Sequence, residues 1–189
     1  MTFVPLHHPY FQDEHPVVLD EMQFKDIMHA IDPRDLPYRD YAPLVKFVKY
    51  VGTEDNIMKF YVPSPTPQKY TDFGGLNLWT PFIQFVEWHE LRDDHSLNAN
   101  EAARLALWGA NIRIHCPCPA YKFWGFQYID TQLGIAMVPE NRYPDIRNPE
   151  LKGIACKHVI RVLKTLPFHL GDMAKAIKQQ REAPAPDRT

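Results

Sequence analysis

Three cysteines and one histidine fall into two short pairs in this sequence. Cys116 and Cys118 flank one proline, Cys156 and His158 flank one lysine, and residues 119–155 lie between the pairs. Three thiolate sulfurs and one imidazole nitrogen form a donor set that tetrahedral structural zinc accepts. The chain has 3 cysteines, an odd number that would leave one unpaired in a disulfide scheme. The pattern predicts one zinc ion bound by Cys116, Cys118, Cys156 and His158.

Simple local structures would bring each pair to a common point. At the end of an extended strand, residues at i and i+2 project to the same side, which suits Cys116 and Cys118. At a helix N-terminus, free N–H groups and the helix dipole favour thiolate, which suits Cys156 and His158. The residues 159–166 that follow have an apolar stripe at helical spacing. A strand, the two ligand pairs and this helix predict a ββα-like zinc unit.

Other interpretations of the same residues remain. Buried cysteines often serve as small hydrophobic residues. Cys116 and Cys118 could form a redox pair, although they lack the Cys-x-x-Cys spacing at a helix start. A catalytic zinc would need an open coordination position and a nearby base, and His115 and His169 could compete as ligands. Since four ligands are already present, a closed structural site is the favoured interpretation.

Cys-x-Cys followed at a distance by Cys-x-His resembles the SWIM-type zinc finger. The resemblance rests on Cys116, Cys118, Cys156 and His158, and implies that these four bind zinc in a module with nucleic-acid-linked or protein-interaction roles. The gap between the pairs is longer than is usual in that family. The sequence from Pro139 to Lys178 is also similar to that of uncharacterised SWIM-like proteins of tailed bacteriophages, which implies a virion or assembly protein.

An aromatic and basic region around the ligands is a candidate interaction surface. Its candidate residues are Tyr121, Trp124, Phe126, Arg142, Arg147, Lys157 and Arg161. The aromatic residues would form either a stacking platform for single-stranded nucleic acid or a cover over the zinc site that fills a small core. The basic residues would likewise form either a contact surface or an ordinary solvated face.

Composition limits the classes of function. Of 189 residues, 45% are hydrophobic and 23% charged, which predicts a folded chain with one real core. A net charge of −2 gives no global basic footprint for nucleic acid. The sequence lacks an apolar run of about 20 residues, a signal-peptide pattern and the phosphate-loop, nucleophile-elbow and zinc-protease motifs. We expect a protein that is no enzyme, has no small-molecule substrate and does not enter a membrane.

The predicted fold is α+β, with a small antiparallel sheet, the zinc-braced unit, C-terminal helices and an extended N-terminal arm. The predicted division is an arm at 1–19, a helix and β-hairpin region at 20–104, the zinc unit with C-terminal helices at 105–181, and a flexible tail at 182–189. The 18 prolines, about twice the usual proportion, favour many loops and extended segments.

Local patterns predict the elements in more detail. A helix should begin at Asp20 and end at Asp32, before Pro33. A second should be capped by Asn98 or Asn100 and end with Gly109 as the residue just beyond it. The remaining predicted elements are strands at 44–51, 56–62, 79–91 and 111–115, a hairpin loop at 52–55, and helices at 156–166 and 169–181 separated by Pro167.

These observations lead to two expectations about function. The first is a zinc-stabilised structural protein. It would be part of the virion of a tailed phage, assembled in the host cytoplasm, or would otherwise be cytoplasmic. Its arm, residues 1–19, would contact other subunits, because Phe3, Tyr10 and Phe11 are too apolar to lie in water. The alternative for the arm is that it folds back over the hairpin of its own chain. The alternative is a nucleic-acid-binding protein that uses the aromatic and basic region.

Overall fold

Helices and strands are mixed along the chain, as predicted. The computed structural model describes residues 22–31, 45–63 and 78–183. The predicted arm at 1–19, the predicted helix start at Asp20 and most of the predicted tail lie outside these residues. The helices are α1 (Phe24–Ile31), α2 (Trp88–Asp93), α3 (Ala99–Gly109), α4 (Pro119–Phe123), α5 (Phe126–Gln132), α6 (Lys157–Thr165) and α7 (Leu170–Glu182), with a 3₁₀ turn (Leu166–His169) between the last two. The strands are β1 (Lys49–Glu54), β2 (Ile57–Pro63), β3 (Leu78–Trp79), β4 (Phe82–Phe85) and β5 (Ile112–His115).

Within the described ranges, the strands form one small antiparallel sheet in the order β1-β2-β4-β5, and β3 pairs with β2. Met58 lies opposite Ile83, which lies opposite Ile114. These three side chains are fully buried, so one face of the sheet forms part of the core. This register sets where β5 ends. The first ligand pair, Cys116 and Cys118, follows directly after that end.

The hairpin of β1 and β2 has a different register from the one predicted. The turn lies at Asp55 and Asn56, whereas the prediction placed it at 52–55, and β1 begins at Lys49 instead of residue 44. Asp55 has a φ of 54°, which a tight two-residue turn requires. A bulge at 50–52 absorbs one residue, so Thr53 pairs with Met58.

The predicted strand at 79–91 is wrong over most of its length. The chain forms β3, leaves the ladder at Pro81, forms β4, and then enters α2 at Trp88. Proline cannot donate to a ladder, which explains the first interruption. At the second interruption the chain turns into α2, and the Arg181 guanidinium, distant in sequence, donates to carbonyl oxygens at the end of that helix.

Helix α3 begins where the sequence predicted. Asn98 is its N-cap, with a capping box in which the Glu101 side chain accepts from the Asn98 backbone N–H. Gly109 is the last residue of the helix and Ala110 its C-cap, one position later than predicted. The predicted helices on either side of Pro167 are confirmed as α6 and α7.

One buried core runs through the predicted regions 20–104 and 105–181. The β4–β5 ladder joins them at the sheet, and α3 packs against α7. Between the two ligand pairs, the described chain contains α4, α5 and a bridge from Ala136 to Ile114.

Candidate metal centre

The four predicted ligands come together in the core. One candidate ligand atom from each of Cys116, Cys118, Cys156 and His158 lies within 4.8 Å of the other three. The exposed fractions are 1%, 1%, 0% and 2% in that order. Residues 119–155 separate the two pairs in sequence, so the tertiary fold assembles the cluster.

The first pair is positioned by the end of β5 and the start of α4. The Ile114 N–H donates to the Ile135 carbonyl oxygen, which holds the strand end beside the chain at 135–137. Cys118 is the N-cap of α4, and its sulfur accepts a hydrogen bond from the Tyr121 N–H at 3.3 Å. Pro119 follows at the first helical position, where its missing N–H carries no penalty. Cys118 therefore projects its sulfur back toward Cys116.

The second pair is positioned by the N-terminus of α6. Cys156 is the N-cap of this helix, and His158 is its second residue. The Nδ1 atom of His158 lies 3.9 Å from the sulfurs of both Cys116 and Cys156. The imidazole thus presents Nδ1 to the three thiols, as a ligand would.

The spacing fits a zinc ion. With Zn–S bonds of about 2.3 Å and Zn–N bonds of about 2.05 Å, tetrahedral geometry places sulfur and nitrogen ligands roughly 3.6 Å apart. The two measured distances of 3.9 Å are close to this value. Small rotations of the side chains would bring them to it. Three buried thiols and one imidazole nitrogen therefore suit a single structural zinc ion.

Comparison of the chain with protein-family models, with curated proteins and with solved structures found no match. The assignment of the site therefore rests on its geometry and chemistry.

The protonation of the thiols shows what a cation would change. Burial raises the pKa of the Cys116 and Cys156 thiols. Hydrogen bonds from these two thiols lower the pKa of Cys118. Among themselves the three sulfurs thus favour a single thiolate, stabilised by its neighbours. A divalent cation in the cluster would stabilise thiolate at all three positions and release their protons.

A buried tyrosine and aspartate link the cluster to the sheet. The Tyr121 Oη lies 2.5 Å from Asp130 Oδ2 and 3.2 Å from the Ile114 carbonyl oxygen. Burial raises the pKa of Asp130 well above its usual value. A protonated Asp130 can donate to the Tyr121 hydroxyl while this hydroxyl donates to Ile114, so one neutral chain of hydrogen bonds joins α5, α4 and β5. Asp130 was not predictable from the sequence, because a lone aspartate has no motif.

Other histidines lie outside the cluster. His115 precedes Cys116 but stacks on Phe82, with 6.2 Å between ring centroids. Burial lowers the pKa of His115. The Nδ1 of His169 pairs with the Asp172 carboxylate at 2.8 Å. Neither spare ligand considered from the sequence belongs to the cluster.

The candidate interaction residues separate into three groups. Tyr121 and Phe126 are 0% and 1% exposed, so the structure removes them from any surface for stacking bases. Lys157 and Arg161 are half-buried on α6. The remaining three, Trp124, Arg142 and Arg147, line one open groove beside α4.

In the ranges that the structure describes, no helix is long and apolar enough to cross a bilayer.

Proposed function

We propose that the protein is a zinc-stabilised structural protein that makes protein–protein contacts within an assembly. The observation that carries the proposal is the cluster of Cys116, Cys118, Cys156 and His158, with all four side chains at most 2% exposed. Such a cluster braces a fold, because it ties a strand end to two helix starts.

The closed geometry supports a structural role over a catalytic one. A catalytic zinc has three protein ligands and one position open to water or substrate. Here four protein side chains converge, and their burial separates the metal position from solvent. The carboxyl of Asp130 is fully buried, and its Oδ2 pairs with the Tyr121 hydroxyl within the fold. We therefore propose that the protein is not an enzyme and has no small-molecule substrate.

The SWIM-type, ββα-like identity of the zinc unit and a place in the virion of a tailed bacteriophage belong to the same proposal. They rest on the resemblance of the sequence around the ligands. The order of β5, ligand pair, α4, ligand pair and α6 is compatible with it. Partners would be other protein subunits, in several copies.

Three measurements test the proposal. Elemental analysis of protein purified without chelators should give one zinc per chain, and Co²⁺ substitution should give the absorption of a tetrahedral thiolate site. A zinc content below about half an equivalent would exclude the site. Quantitative mass spectrometry of isolated particles should find the chain as a stoichiometric component, and its absence from every large assembly would contradict the proposed role.

The alternative is a nucleic-acid-binding protein, and one contact favours it. The guanidinium carbon of Arg147 lies 6.0 Å from the centroid of the Trp124 ring, a pairing that single-stranded nucleic acid can use. Fluorescence anisotropy with a single-stranded oligonucleotide would separate the two functions. Phosphate binding must weaken steeply as salt rises. Because the net charge is −2, we expect no salt-sensitive binding.

A further inference from the structure

The groove beside α4 has the features of a docking surface. We name it the α4 groove and define it by residues 119–124 on one side and 140–147 on the other. It has a volume of about 690 Å³. Phe123 and Ile146 line it and are 59% and 85% exposed. Large apolar side chains at this exposure mark interaction sites when they are clustered.

The walls of the groove are held in place by the fold. The Asn148 side chain donates to the carbonyl oxygens of Trp124 and Lys152 at 3.1 and 2.9 Å. Pro144 packs so closely on Gly125 that a Cβ atom there would lie 2.2 Å from the proline ring. The Tyr143 hydroxyl donates to the Pro149 carbonyl oxygen. A groove already formed in the free protein loses little entropy on binding.

The charges of the groove favour an occupant with carboxylates. Three cationic side chains line it, Lys122, Arg142 and Arg147, against two carboxylates, Glu140 and Asp145. Arg142 and Glu140 neutralise each other through two hydrogen bonds. The two positive charges of Lys122 and Arg147 then exceed the single negative charge of Asp145. Aromatic-lined grooves of this kind bind extended proline-rich peptides.

The N-terminal segment of the chain has the matching composition. Residues 3–14 contain Pro5 and Pro9 between apolar and aromatic residues, followed by Asp13 and Glu14. This segment precedes Met22, whose carbonyl oxygen accepts from the Ile112 N–H at 2.9 Å. The core of each copy thus holds Met22, eight residues after the segment, beside β5 on the side away from β4.

We propose that the α4 groove binds residues 3–14 of a second copy of this chain. The apolar and aromatic side chains would cover Phe123 and Ile146, and the two carboxylates would pair with Lys122 and Arg147. Such an exchange links copies head to tail, which yields a ring or a filament according to the rotation between them. The inference rests on the proposed assembly function, for which it names the contact.

Self-association of the full-length, zinc-loaded protein tests the inference. Sedimentation velocity over a concentration series should show self-association. Ile146→Ser should weaken it about tenfold, equivalent to about 1.4 kcal/mol. The matched control is Phe168→Ser, because Phe168 is 84% exposed but lies outside the groove. Zinc content and circular dichroism of both variants should match those of the wild type.

A charge exchange and a cross-link identify the occupant. Arg147→Glu should weaken association, and adding Glu14→Arg should restore it. A photoreactive residue at position 6 should cross-link to peptides from 119–147, and the product should have the mass of a dimer. These results would establish the named occupant.

Each other result would overturn the inference. A cross-link of monomer mass would show that the segment binds its own chain. Competition by a single-stranded oligonucleotide would show that nucleic acid occupies the groove. A chain that stays monomeric, or equal association of the Ile146→Ser and wild-type proteins, would exclude the groove as the contact between copies. The zinc and particle measurements do not depend on these results, so the proposed function can stand when the inference fails.

Discussion

Two regions fasten the C-terminal helices to the rest of the protein, and they do so by different chemistry. At the start of α6, Cys156 and His158 meet Cys116 and Cys118. Near the end of α7, the Arg181 guanidinium donates to backbone carbonyl oxygens of Leu91, Arg92, Asp94 and Leu97. Arg181 carries its own permanent charge. A metal site formed by the cluster would instead depend on a bound cation and on reduced thiols.

The difference indicates where the chain needs a brace. Helices α4 and α5, which follow the first ligand pair, have 5 and 7 residues, too few to be stable alone. Helices α3 and α7 have 11 and 13 residues and pack on each other. Stability is therefore uneven along the chain. A metal ion in the cluster would tie down the region with the weakest local structure, which we call the metal-dependent region (116–165).

The largest predicted effect is loss of the metal-dependent region in Cys156→Ala. Structural zinc sites contribute about 10–16 kcal/mol in small zinc modules at pH 7, comparable with the 5–15 kcal/mol that stabilises a whole domain. We expect the variant to lose its zinc and its amide protection over 116–165. Hydrogen exchange with mass spectrometry measures this directly.

The elements outside the metal-dependent region are the internal control for this experiment. Amides in α3, α7 and the β1–β2 hairpin should keep more protection than those in α4, α5 and α6. The same pattern should appear when a chelator removes zinc from the wild type. Uniform loss across both regions, or no loss in either, would show that the cluster does not divide the protein in this way.

Much of the fold follows from local patterns, and the errors have a common cause. Helices α3, α6 and α7 were predictable because caps, Pro167 and apolar periodicity act within each element. The sequence from Trp88 to Asp93 looks like the continuation of a strand, since apolar residues still alternate there. It forms α2, and Arg181, far away in sequence, donates hydrogen bonds to the carbonyl oxygens at the C-terminus of this helix. The hairpin register was missed because the prediction had no signal for the bulge at 50–52.

The candidate metal site was predictable because the residue types themselves indicate metal-binding chemistry. Cysteine and histidine at short spacing have few other common uses, so the four ligands could be named without coordinates. The surface residues carry no such information. Tyr121 and Trp124 look equivalent in sequence, yet Tyr121 is buried and Trp124 lines the α4 groove. Only the helical phase of α4 and its packing distinguish them.

Gly125→Ala tests whether the metal alone holds α4 and α5 in place. Gly125 has a φ of 74°, and an added Cβ would lie 2.2 Å from Pro144 Cγ. We expect a loss of about 3 kcal/mol in the free energy of unfolding, from strain and from displacement of the 143–147 wall. Urea denaturation at fixed free zinc measures it.

The control for this substitution is Gly171→Ala in the first turn of α7. An added Cβ there meets nothing within 4 Å, so this variant should gain about 0.5–1 kcal/mol. Equal stability of Gly125→Ala and wild type would mean that the zinc ion, and not the turn at Gly125, fixes the helix pair.

Arg181→Met tests the second of the two regions, the contacts of Arg181 near the end of α7. Methionine keeps much of the apolar stem but leaves the carbonyl oxygens at the end of α2 without a donor. Hydrogen bonds to charged groups contribute about 1.5–3 kcal/mol each and are not additive, so we expect a net loss of about 2 kcal/mol. Zinc content should not change. Arg104→Met, at an exposed position of α3, is the matched control. A zinc deficit in Arg181→Met would show that the metal cluster and the Arg181 contacts are coupled.

The smallest predicted effect concerns the buried carboxyl of Asp130, which lies within the metal-dependent region. Burial raises the pKa of this carboxyl in the folded protein, while in the unfolded chain it is about 3.9. Between these two values the folded state holds one more proton than the unfolded state. The contribution of Asp130 to stability therefore falls as pH rises through this window and is constant above the folded pKa. Asparagine does not titrate and can donate to the Tyr121 hydroxyl in the same place.

Asp130→Asn should consequently gain stability over the wild type as pH rises. We expect an advantage on the order of 1 kcal/mol at pH 8, since one pKa unit corresponds to about 1.4 kcal/mol. Urea denaturation of both proteins from pH 5.5 to 8.5, at a fixed excess of zinc, measures the difference and cancels the pH dependence of metal binding that they share. Asp145→Asn, at an exposed site, should show no such trend. A variant less stable than the wild type at every pH would mean that Asp130 works as a carboxylate, so the link between α5 and the ligand-bearing helix α4 would be ionic instead of neutral.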